Sequence, residues 1–283
     1  MTSTPAAILA AALGAIALLA CGGCASLASS SDSRSAAETR AQARGFEALQ
    51  LKAGAFELAA RVRHGGEPAA ELAIYIEGDG AAWPTPYHPP SDPTPRKPVS
   101  LLLATADPAP AVAYLGRPCQ YLDEPALAAC PSAYWIERRF APEVIAAYDE
   151  AIDRLKRGFA ARRVRLVGYS GGGIIAALLA SRRQDVAALV TVAAPLALAD
   201  WVTWHGASPL RGSLDPMSQA AATAPGVHFV GNDDKNVPVE IVAGYVRAKG
   251  GRVEAVAGFD HDCCWTREWA NLLQRVPAKE NAK

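Results

Sequence analysis

The chain has 283 residues, which is enough for one large α/β domain with a buried core. Its 28 Lys and Arg balance its 28 Asp and Glu, and no basic stripe is interleaved with aromatic residues, which argues against nucleic acid as a partner. Hydrophobic residues make up 51% of the chain, but beyond the first 20 residues no stretch is long and apolar enough to span a membrane.

Residues 1–20 have the pattern of a signal peptide, with an apolar run that is short for a membrane-spanning helix. The run ends in Leu-Leu-Ala-Cys21, which resembles the bacterial lipobox, where the cysteine is lipidated and becomes the mature N-terminus. No Lys or Arg precedes the run, although a positive start is typical. The alternative is a plain secretory signal cleaved near residues 24–26. Both interpretations predict an exported protein, and the lipobox predicts a lipid anchor on the periplasmic side of the bacterial cell envelope.

The next part of the chain divides into a tether and the start of a domain. Residues 21–45 are small and polar, which predicts a flexible tether, and residues 46–283 are predicted to form one domain. FEALQLK (46–52) and FELAARVRH (56–64) alternate around a glycine-containing turn and predict a β-hairpin. ELAIYIEGDG (71–80) predicts a strand that ends in a glycine turn.

Helical and strand patterns alternate through the rest of the chain. The prolines of residues 81–98 exclude a helix or a central strand, so an ordered surface loop is predicted there. Residues 122–134 and 196–224 are predicted to be loop and irregular structure. The predicted helices are 100–108, 142–159, 174–180, 237–250 and 265–276. The later predicted strands lie within 111–121, 164–167, 186–195, 227–234 and 252–265.

This alternation predicts an α/β fold: a doubly wound, mostly parallel sheet with an antiparallel N-terminal hairpin and small lid or loop insertions. Reactive groups collect at the carboxyl ends of the strands in such a sheet. Four candidates lie there: the turn at residues 78–80, Ser170, the Asp233–Asp234 pair and His261.

Ser170 lies in a cluster of glycines, between strand formers and helix formers, in VRLVGYSGGGIIAALLAS (164–181). A strand that turns into a helix so quickly needs small residues two positions before and after the corner, and Gly168 and Gly172 occupy those positions. The G-x-S-x-G pattern in this context predicts a nucleophile elbow. The alternative is an ordinary glycine-rich turn.

A serine nucleophile needs a base, and the base needs an orienting acid. His261 follows the last predicted strand, from which a loop can bring its ring to Ser170. The other histidines lie in earlier loops, in the irregular segment or at the start of a strand: His64, His88, His205 and His228. We therefore expect His261 to be the general base.

The order serine, acid, histidine, with all three at strand ends, resembles the α/β-hydrolase superfamily. More narrowly, IEGDGAAW, RPCQY, GYSGGG and HDCCW resemble a group of bacterial envelope hydrolases of the lipoprotein type. The resemblance covers about residues 46–276. It implies a nucleophilic serine mechanism and leaves the substrate open.

The acid is one of two adjacent residues, Asp233 and Asp234, which point in different directions. In many related hydrolases the acid lies three residues after a glycine and four before a proline, and Gly231 and Pro238 both select Asp234. Asp233 is expected to cap the helix that follows.

Two backbone N–H groups are expected to form the oxyanion hole. One belongs to Gly171, directly after the nucleophile and at a helix N-terminus. The other comes from the loop after the 71–76 strand, with Asp79 as the first candidate and Gly80 as the second. We expect the Asp79 carboxylate to point away from the oxyanion and to hold the loop. The alternative is that residues 78–80 form only a tight turn.

An exported protein meets oxidising conditions, so four cysteines are candidates for disulfides. The favoured pairing joins Cys119 to Cys130, which bracket a loop of little apolar content, and leaves Cys263 next to Cys264. A bridge between adjacent cysteines distorts the peptide unit between them. Free thiols at the adjacent pair and a crossed pairing of the four cysteines remain open.

Arg117 and four tryptophans each have a structural and a functional interpretation. Arg117 either binds an acidic group of the substrate or, more in keeping with its loop, forms a salt bridge that fixes RPCQY. Four tryptophans line an acyl pocket or belong to the core or a lid: Trp83, Trp135, Trp201 and Trp204. No motif of the sequence predicts a metal site, a P-loop or a dinucleotide site, so no cofactor is expected.

Together these features predict an exported, lipid-anchored serine hydrolase that cleaves a small-molecule or lipid-like ester or thioester through Ser170, Asp234 and His261. An acyltransferase or a peptidase uses the same three groups. A non-catalytic envelope binding protein on the same fold is the alternative from another class.

Overall fold

The computed structural model describes residues 33–66, 69–81 and 88–277. The predicted signal peptide, Cys21, the first part of the predicted tether and Trp83 lie outside the described residues. No helix within the described ranges is long and apolar enough to cross a membrane.

Strands and helices alternate as the patterns predict. The strands are β1 (Glu47–Ala53), β2 (Phe56–Arg63), β3 (Glu71–Ile76), β4 (Val112–Leu115), β5 (Arg163–Tyr169), β6 (Val186–Val192), β7 (Gly226–Gly231) and β8 (Arg252–Val256). The helices are α1 (Arg34–Ala43), α2 (Val99–Ala106), α3 (Glu124–Ala129), α4 (Pro142–Gly158), α5 (Gly171–Ala180), α6 (Leu198–Trp204), α7 (Val239–Lys249) and α8 (Trp265–Leu273). Short 3₁₀ turns lie at Ser132–Trp135 and Pro216–Ser218.

The strands form one sheet in the order β1-β2-β4-β3-β5-β6-β7-β8. β1 and β2 pair antiparallel, β2 pairs antiparallel with β4, and the neighbouring pairs from β4 to β8 are parallel. The predicted α/β fold with an antiparallel hairpin is therefore confirmed. Because β3, β5, β7 and β8 run in the same direction, their carboxyl ends meet at one edge of the sheet.

Two apolar layers cover the sheet. One face packs against α4 and α5, whose buried members include Val144, Ile145 and Ile175. The other face packs against α2 and α8, through residues such as Leu101 and Trp269. The apolar residues Val144, Ile145, Tyr148, Ile152 and Leu155 lie along one side of α4, and all of them are buried.

Three segments are more regular than the sequence predicts. Residues 34–43 of the predicted tether form α1, because Ala37 and Ala41 are buried against the domain and Ser33 caps the helix through its Oγ. The folded domain thus begins before the predicted boundary at residue 46. The predicted loop at 122–134 contains α3, which Asp123 caps, and the predicted irregular segment at 196–224 contains α6.

Candidate active site

Ser170 stands at the corner between β5 and α5, with a backbone φ of +50° that is unusual for a residue with a side chain. Strand and helix nearly touch here. A Cβ on Gly168 would lie 2.3 Å from the carbonyl oxygen of Gly172, and one on Gly172 would lie 2.3 Å from that of Ile76. These close approaches explain why both positions are glycine, and they hold the serine hydroxyl at the carboxyl edge of the sheet.

The three predicted side chains form a continuous series of hydrogen bonds. His261 Nε2 is 3.1 Å from Ser170 Oγ, and His261 Nδ1 is 2.9 Å from Asp234 Oδ2. With its proton on Nδ1, the ring donates to Asp234 and accepts from the serine hydroxyl. The fold therefore brings together residues that are 27 and 91 positions apart from His261 in the chain.

Asp234 is fixed by its own loop as well as by the histidine. Its Oδ1 accepts hydrogen bonds from the backbone N–H groups of Asn236 and Val237, both at 2.8 Å, and its side chain is fully buried. Asp233 is exposed. The expectation that Asp233 caps the next helix is wrong, because α7 begins after Pro238 without a side-chain cap.

The loop that carries His261 is anchored through the carbonyl oxygen of the histidine itself. This oxygen accepts from Tyr169 Oη at 3.2 Å and from Trp265 Nε1 at 3.0 Å. The single hydroxyl hydrogen of Tyr169 is shared with Asp262 Oδ1, which lies 2.9 Å away. Tyr169 is the variable residue before the nucleophile in the elbow motif, so the sequence pattern gave no sign of this contact.

Gly171 begins α5, where the helix leaves backbone N–H groups unpaired and its dipole favours negative charge. On the opposite side, Gly78 lies against the serine: a Cβ on Gly78 would be 3.4 Å from Ser170 Cβ. Gly80, with φ of +96°, instead lies against Pro93, whose carbonyl oxygen a Cβ would meet at 1.7 Å. Of the two candidate donors, the turn therefore places the 78–79 peptide nearer to Ser170, which favours Asp79 over Gly80.

The Asp79 side chain holds the loop as expected but does not point away from the elbow. Its Oδ1 accepts from Arg117 Nη1 at 2.8 Å and its Oδ2 from Arg139 Nη1 at 2.7 Å. A Cβ on Gly171 would lie 2.0 Å from that Oδ1, so the carboxylate rests against the start of α5. Burial opposes ionisation, but Arg139 and Arg117 outweigh it and lower the pKa of Asp79. The two cations thus offset a negative charge that would otherwise oppose an oxyanion.

Arg117 is buried and bonded to Asp79 and to the carbonyl oxygen of Arg139, which is the structural role that the sequence analysis favours. Arg139 was missed. It lies 60 residues from Asp79 in a segment without periodicity, and no local signal marks it.

A cleft of about 460 Å³ opens above Ser170 and His261. Its apolar wall includes Trp135, Phe140, Ile174, Leu198 and Trp201. Two of the four candidate tryptophans, Trp135 and Trp201, therefore line the cleft. Trp204 is 61% exposed.

The cysteines are joined in the favoured pairing. Cys119 is bonded to Cys130 and Cys263 to Cys264. The second bridge lies two residues from His261 and is thus part of the loop that carries this histidine. No cluster of three His, Cys, Asp or Glu side chains suited to a metal ion is present in the described ranges.

Solved structures with the same architecture support the fold assignment. A serine hydrolase homologue from Coxiella burnetii is 17% identical, with 81% of this chain and 94% of that chain covered and a TM-score of 0.53. Est1E from Butyrivibrio proteoclasticus is 12% identical (80% and 97% covered, TM-score 0.54), and a membrane phospholipase A described as a bacterial virulence factor is 16% identical (85% and 88% covered, TM-score 0.55). The chain has the α/β-hydrolase fold. No protein-family profile and no curated protein sequence matches it.

Proposed function

We propose that this α/β-hydrolase-fold protein is a serine hydrolase that cleaves an ester or thioester through an acyl-enzyme on Ser170. The observation that carries the proposal is the line of contacts from Ser170 Oγ to His261 Nε2 (3.1 Å) and from His261 Nδ1 to Asp234 Oδ2 (2.9 Å) at the base of an apolar cleft. A serine and a histidine within this distance, with the ring oriented by a carboxylate, can pass a proton between them.

In the first half of the reaction, Ser170 Oγ attacks the acyl carbon while His261 Nε2 takes the hydroxyl proton. Asp234 keeps the proton of the ring on Nδ1 and stabilises the imidazolium. The carbonyl oxygen becomes an oxyanion, and the N–H groups of Gly171 and Asp79 donate to it. The tetrahedral intermediate then collapses, and His261 gives its proton to the leaving alcohol or thiol.

In the second half, water replaces the leaving group. His261 takes a proton from the water, the hydroxide attacks the acyl carbon, and Ser170 leaves with the proton returned by the histidine. The apolar wall of the cleft, formed by residues such as Phe140, Ile174 and Trp201, suits the acyl part of a small-molecule or lipid-like ester. The membrane phospholipase A among the similar structures is in keeping with a lipid-like substrate.

Labelling with a fluorophosphonate tests the proposal. The wild-type protein should be labelled on Ser170, and Ser170→Ala should fold normally, remain unlabelled and hydrolyse no ester. A panel of esters of differing acyl length then defines the substrate. A folded wild-type protein that neither labels nor cleaves any ester would point instead to a binding protein on the same fold.

We further propose export and lipid anchoring at Cys21, in the manner of envelope hydrolases of the lipoprotein type. The support is the Leu-Leu-Ala-Cys21 sequence after an apolar run of signal-peptide length. Cys21→Ser should release the protein from membranes. Mass spectrometry of the mature N-terminus should find a lipidated Cys21, and an unlipidated N-terminus beyond Cys21 would refute the anchor.

A further inference from the structure

Glu77 lies at the base of the cleft and takes no part in the mechanism above. It directly follows β3 and is only 1% exposed. Its Oε1 accepts hydrogen bonds from the N–H of Gly78 at 2.9 Å and the N–H of Ser100 at 3.3 Å. The carboxyl group therefore ties the turn after β3 to the first turn of α2. Burying such a group costs free energy, which only a specific contact offsets.

The turn that Glu77 holds is the one that presents the Asp79 N–H. The carbonyl oxygen of Gly78 accepts from Gln120 Nε2 at 3.2 Å. Because a trans peptide is planar, that carbonyl and the N–H of Asp79 point in opposite directions. The hydrogen bond from Gln120 therefore turns the Asp79 N–H to the side that faces away from Gln120. Glu77 fixes the preceding peptide through the Gly78 N–H. Together the two side chains set the orientation of Gly78 from both sides.

The second oxygen of Glu77 is left without a donor. Glu77 Oε2 and Ser100 Oγ are both buried, and neither forms a hydrogen bond within the described residues. An ionised carboxylate accepts hydrogen bonds on both oxygens, whereas a protonated one carries hydrogen on one of them. In a neutral Glu77 the carbonyl oxygen would be Oε1, which takes both N–H bonds, and a buried neutral group without a partner at Oε2 costs less free energy than a buried charge there.

The side chains that face Glu77 carry no positive charge. They are the hydroxyls of Tyr114 and Tyr121, which lie 3.0 Å apart, and those of Tyr148 and Tyr169. Burial raises the pKa of each of these tyrosines, so all four are neutral near neutral pH.

The cations of Arg117 and Arg139 are engaged by Asp79. Burial raises the pKa of Glu77 to about 7, against the opposing effect of the Gly78 and Ser100 N–H groups and the weaker effects of the Tyr114 hydroxyl and the Leu101 N–H.

We propose that Glu77 is a positioning residue that orients the oxyanion turn and acts in its neutral form. The inference rests on the proposed function, because an oxyanion turn matters only where an acyl group is attacked. When Glu77 is neutral, Oε1 keeps both N–H bonds and no net charge lies behind the turn. When it ionises, a negative charge forms beside the place where the oxyanion develops, and this destabilises the transition state.

The test is the pH dependence of ester hydrolysis for the wild type, Glu77→Gln and Glu77→Leu. Glutamine keeps the acceptor oxygen and cannot ionise. The wild-type kcat should fall as pH rises above about 7, and the kcat of Glu77→Gln should not. The ratio of the wild-type kcat to the Glu77→Gln kcat should therefore change about tenfold between pH 6 and pH 9. Glu77→Leu removes the acceptor and should lower kcat about 10²-fold at every pH with little change in KM, as the loss of an oxyanion donor does.

The matched control is Glu57→Gln, the same chemical change at an exposed position of β2, whose pH profile should match that of the wild type. Circular dichroism checks that each variant is folded. If Glu77→Gln and the wild type have superimposable profiles, Glu77 does not act through its charge. If folded Glu77→Leu keeps wild-type kcat, it does not position the turn. Either outcome overturns the proposal.

Two readouts separate this proposal from the proposed function. Infrared difference spectra between the wild type and Glu77→Gln should contain a protonated-carboxyl band at pH 6 that disappears as pH rises through about 7, whether or not turnover is seen. Absence of that band overturns the neutral form. Fluorophosphonate labelling of wild-type Ser170 reports on the hydrolase itself. A labelled enzyme without a Glu77 effect refutes only the positioning role, and an unlabelled one refutes both.

Discussion

The two halves of the candidate active site are held by different kinds of contact. In the elbow, residues 168–173, main-chain hydrogen bonds and close backbone packing hold the site. Ser170 N–H donates to the carbonyl oxygen of Val192 at 2.8 Å, and Gly173 N–H donates to that of Ser170 at 2.9 Å. Glycines let the helix backbone touch the strand ends, with no space for a side chain at Gly168 or Gly172. The backbone that carries Ser170 is therefore part of the core of the fold.

In the histidine loop, residues 257–264, side chains supply many of the hydrogen bonds, beside backbone bonds such as that from Asp233 N–H to the carbonyl oxygen of Phe259 at 2.9 Å. Asp260 Oδ1 accepts from the N–H groups of Asp262 and Cys263, and the His261 carbonyl accepts from Tyr169 and Trp265. Much of this loop is exposed. Phe259 of this loop is buried, but Asp260 and Asp262 are exposed, so their hydrogen bonds can be removed without opening a cavity in the core.

This difference leads to opposite expectations for substitutions. A substitution in the elbow should lower the stability of the fold, because the elbow backbone belongs to both the candidate site and the core. A change in the histidine loop acts on the orientation of the base, so activity falls while the domain stays folded. Four experiments test how far this division holds.

The largest effect is expected where the acid meets the histidine. In Asp234→Asn, the amide oxygen should remain with the N–H groups of Asn236 and Val237, so the amino group faces His261 Nδ1. The ring must then carry its proton on Nε2 and cannot accept one from Ser170. We expect kcat to fall about 10⁴-fold with the fold intact. Asp233→Asn, at the exposed neighbour, should keep nearly full activity, and the reverse ranking in ester hydrolysis would overturn the assignment.

The elbow should respond through stability. In Gly172→Ala the new Cβ would lie 2.3 Å from the carbonyl oxygen of Ile76 and 2.5 Å from that of Glu77, both of them backbone atoms. We expect a loss of about 3 kcal/mol or more in the free energy of unfolding, the upper end for overpacking. Gly158→Ala at the end of α4 meets nothing within 4 Å and is the matched control. Denaturant unfolding measures both, and equal midpoints would contradict the role of the elbow glycines.

The same division explains what the sequence predicted. α4 and β3 were predicted because their patterns are local, and Ser170, Asp234 and His261 because each follows a strand of the predicted sheet. Arg139 was not predicted because its contact with Asp79 joins positions 60 residues apart. α1 was missed because its small residues are typical of linkers, although alanine also favours helices and here packs against the domain.

A smaller effect is expected where the elbow touches the histidine loop. Tyr169→Phe removes the hydroxyl that donates to the His261 carbonyl and to Asp262 Oδ1. The Trp265 bond to that carbonyl remains, and Asp262 is exposed to water, so no buried group loses its only partner. We expect kcat to fall about tenfold, the equivalent of one hydrogen bond, with little change in the melting temperature. A fall in stability without a fall in kcat would mean that Tyr169 belongs to the core alone.

The smallest effect is expected at the Cys263–Cys264 bridge, within the histidine loop. The bridge closes a ring in the chain two residues after the base, next to the N–H of Cys263 that donates to Asp260 Oδ1 at 2.7 Å. Reduction by a phosphine breaks the sulfur–sulfur bond and leaves two thiols, and the loop gains freedom while its hydrogen bonds remain. We expect kcat to fall about threefold, which corresponds to less than about 1 kcal/mol of activation free energy, with unchanged circular dichroism.

The Cys119–Cys130 bridge provides the contrast for this last experiment, since it closes a different loop of the chain and should contribute on the order of 3 kcal/mol to stability. A variant with serine at both 263 and 264 should be insensitive to the reductant in activity. A variant with serine at both 119 and 130 should stay sensitive in activity but unfold at lower denaturant. Peptide mapping of the unreduced protein comes first, because a cross-link from Cys119 or Cys130 to the 263–264 segment would contradict both pairings. Unchanged kcat after complete reduction of the adjacent pair would show that the hydrogen bonds of Asp260, Tyr169 and Trp265 alone hold the base in place.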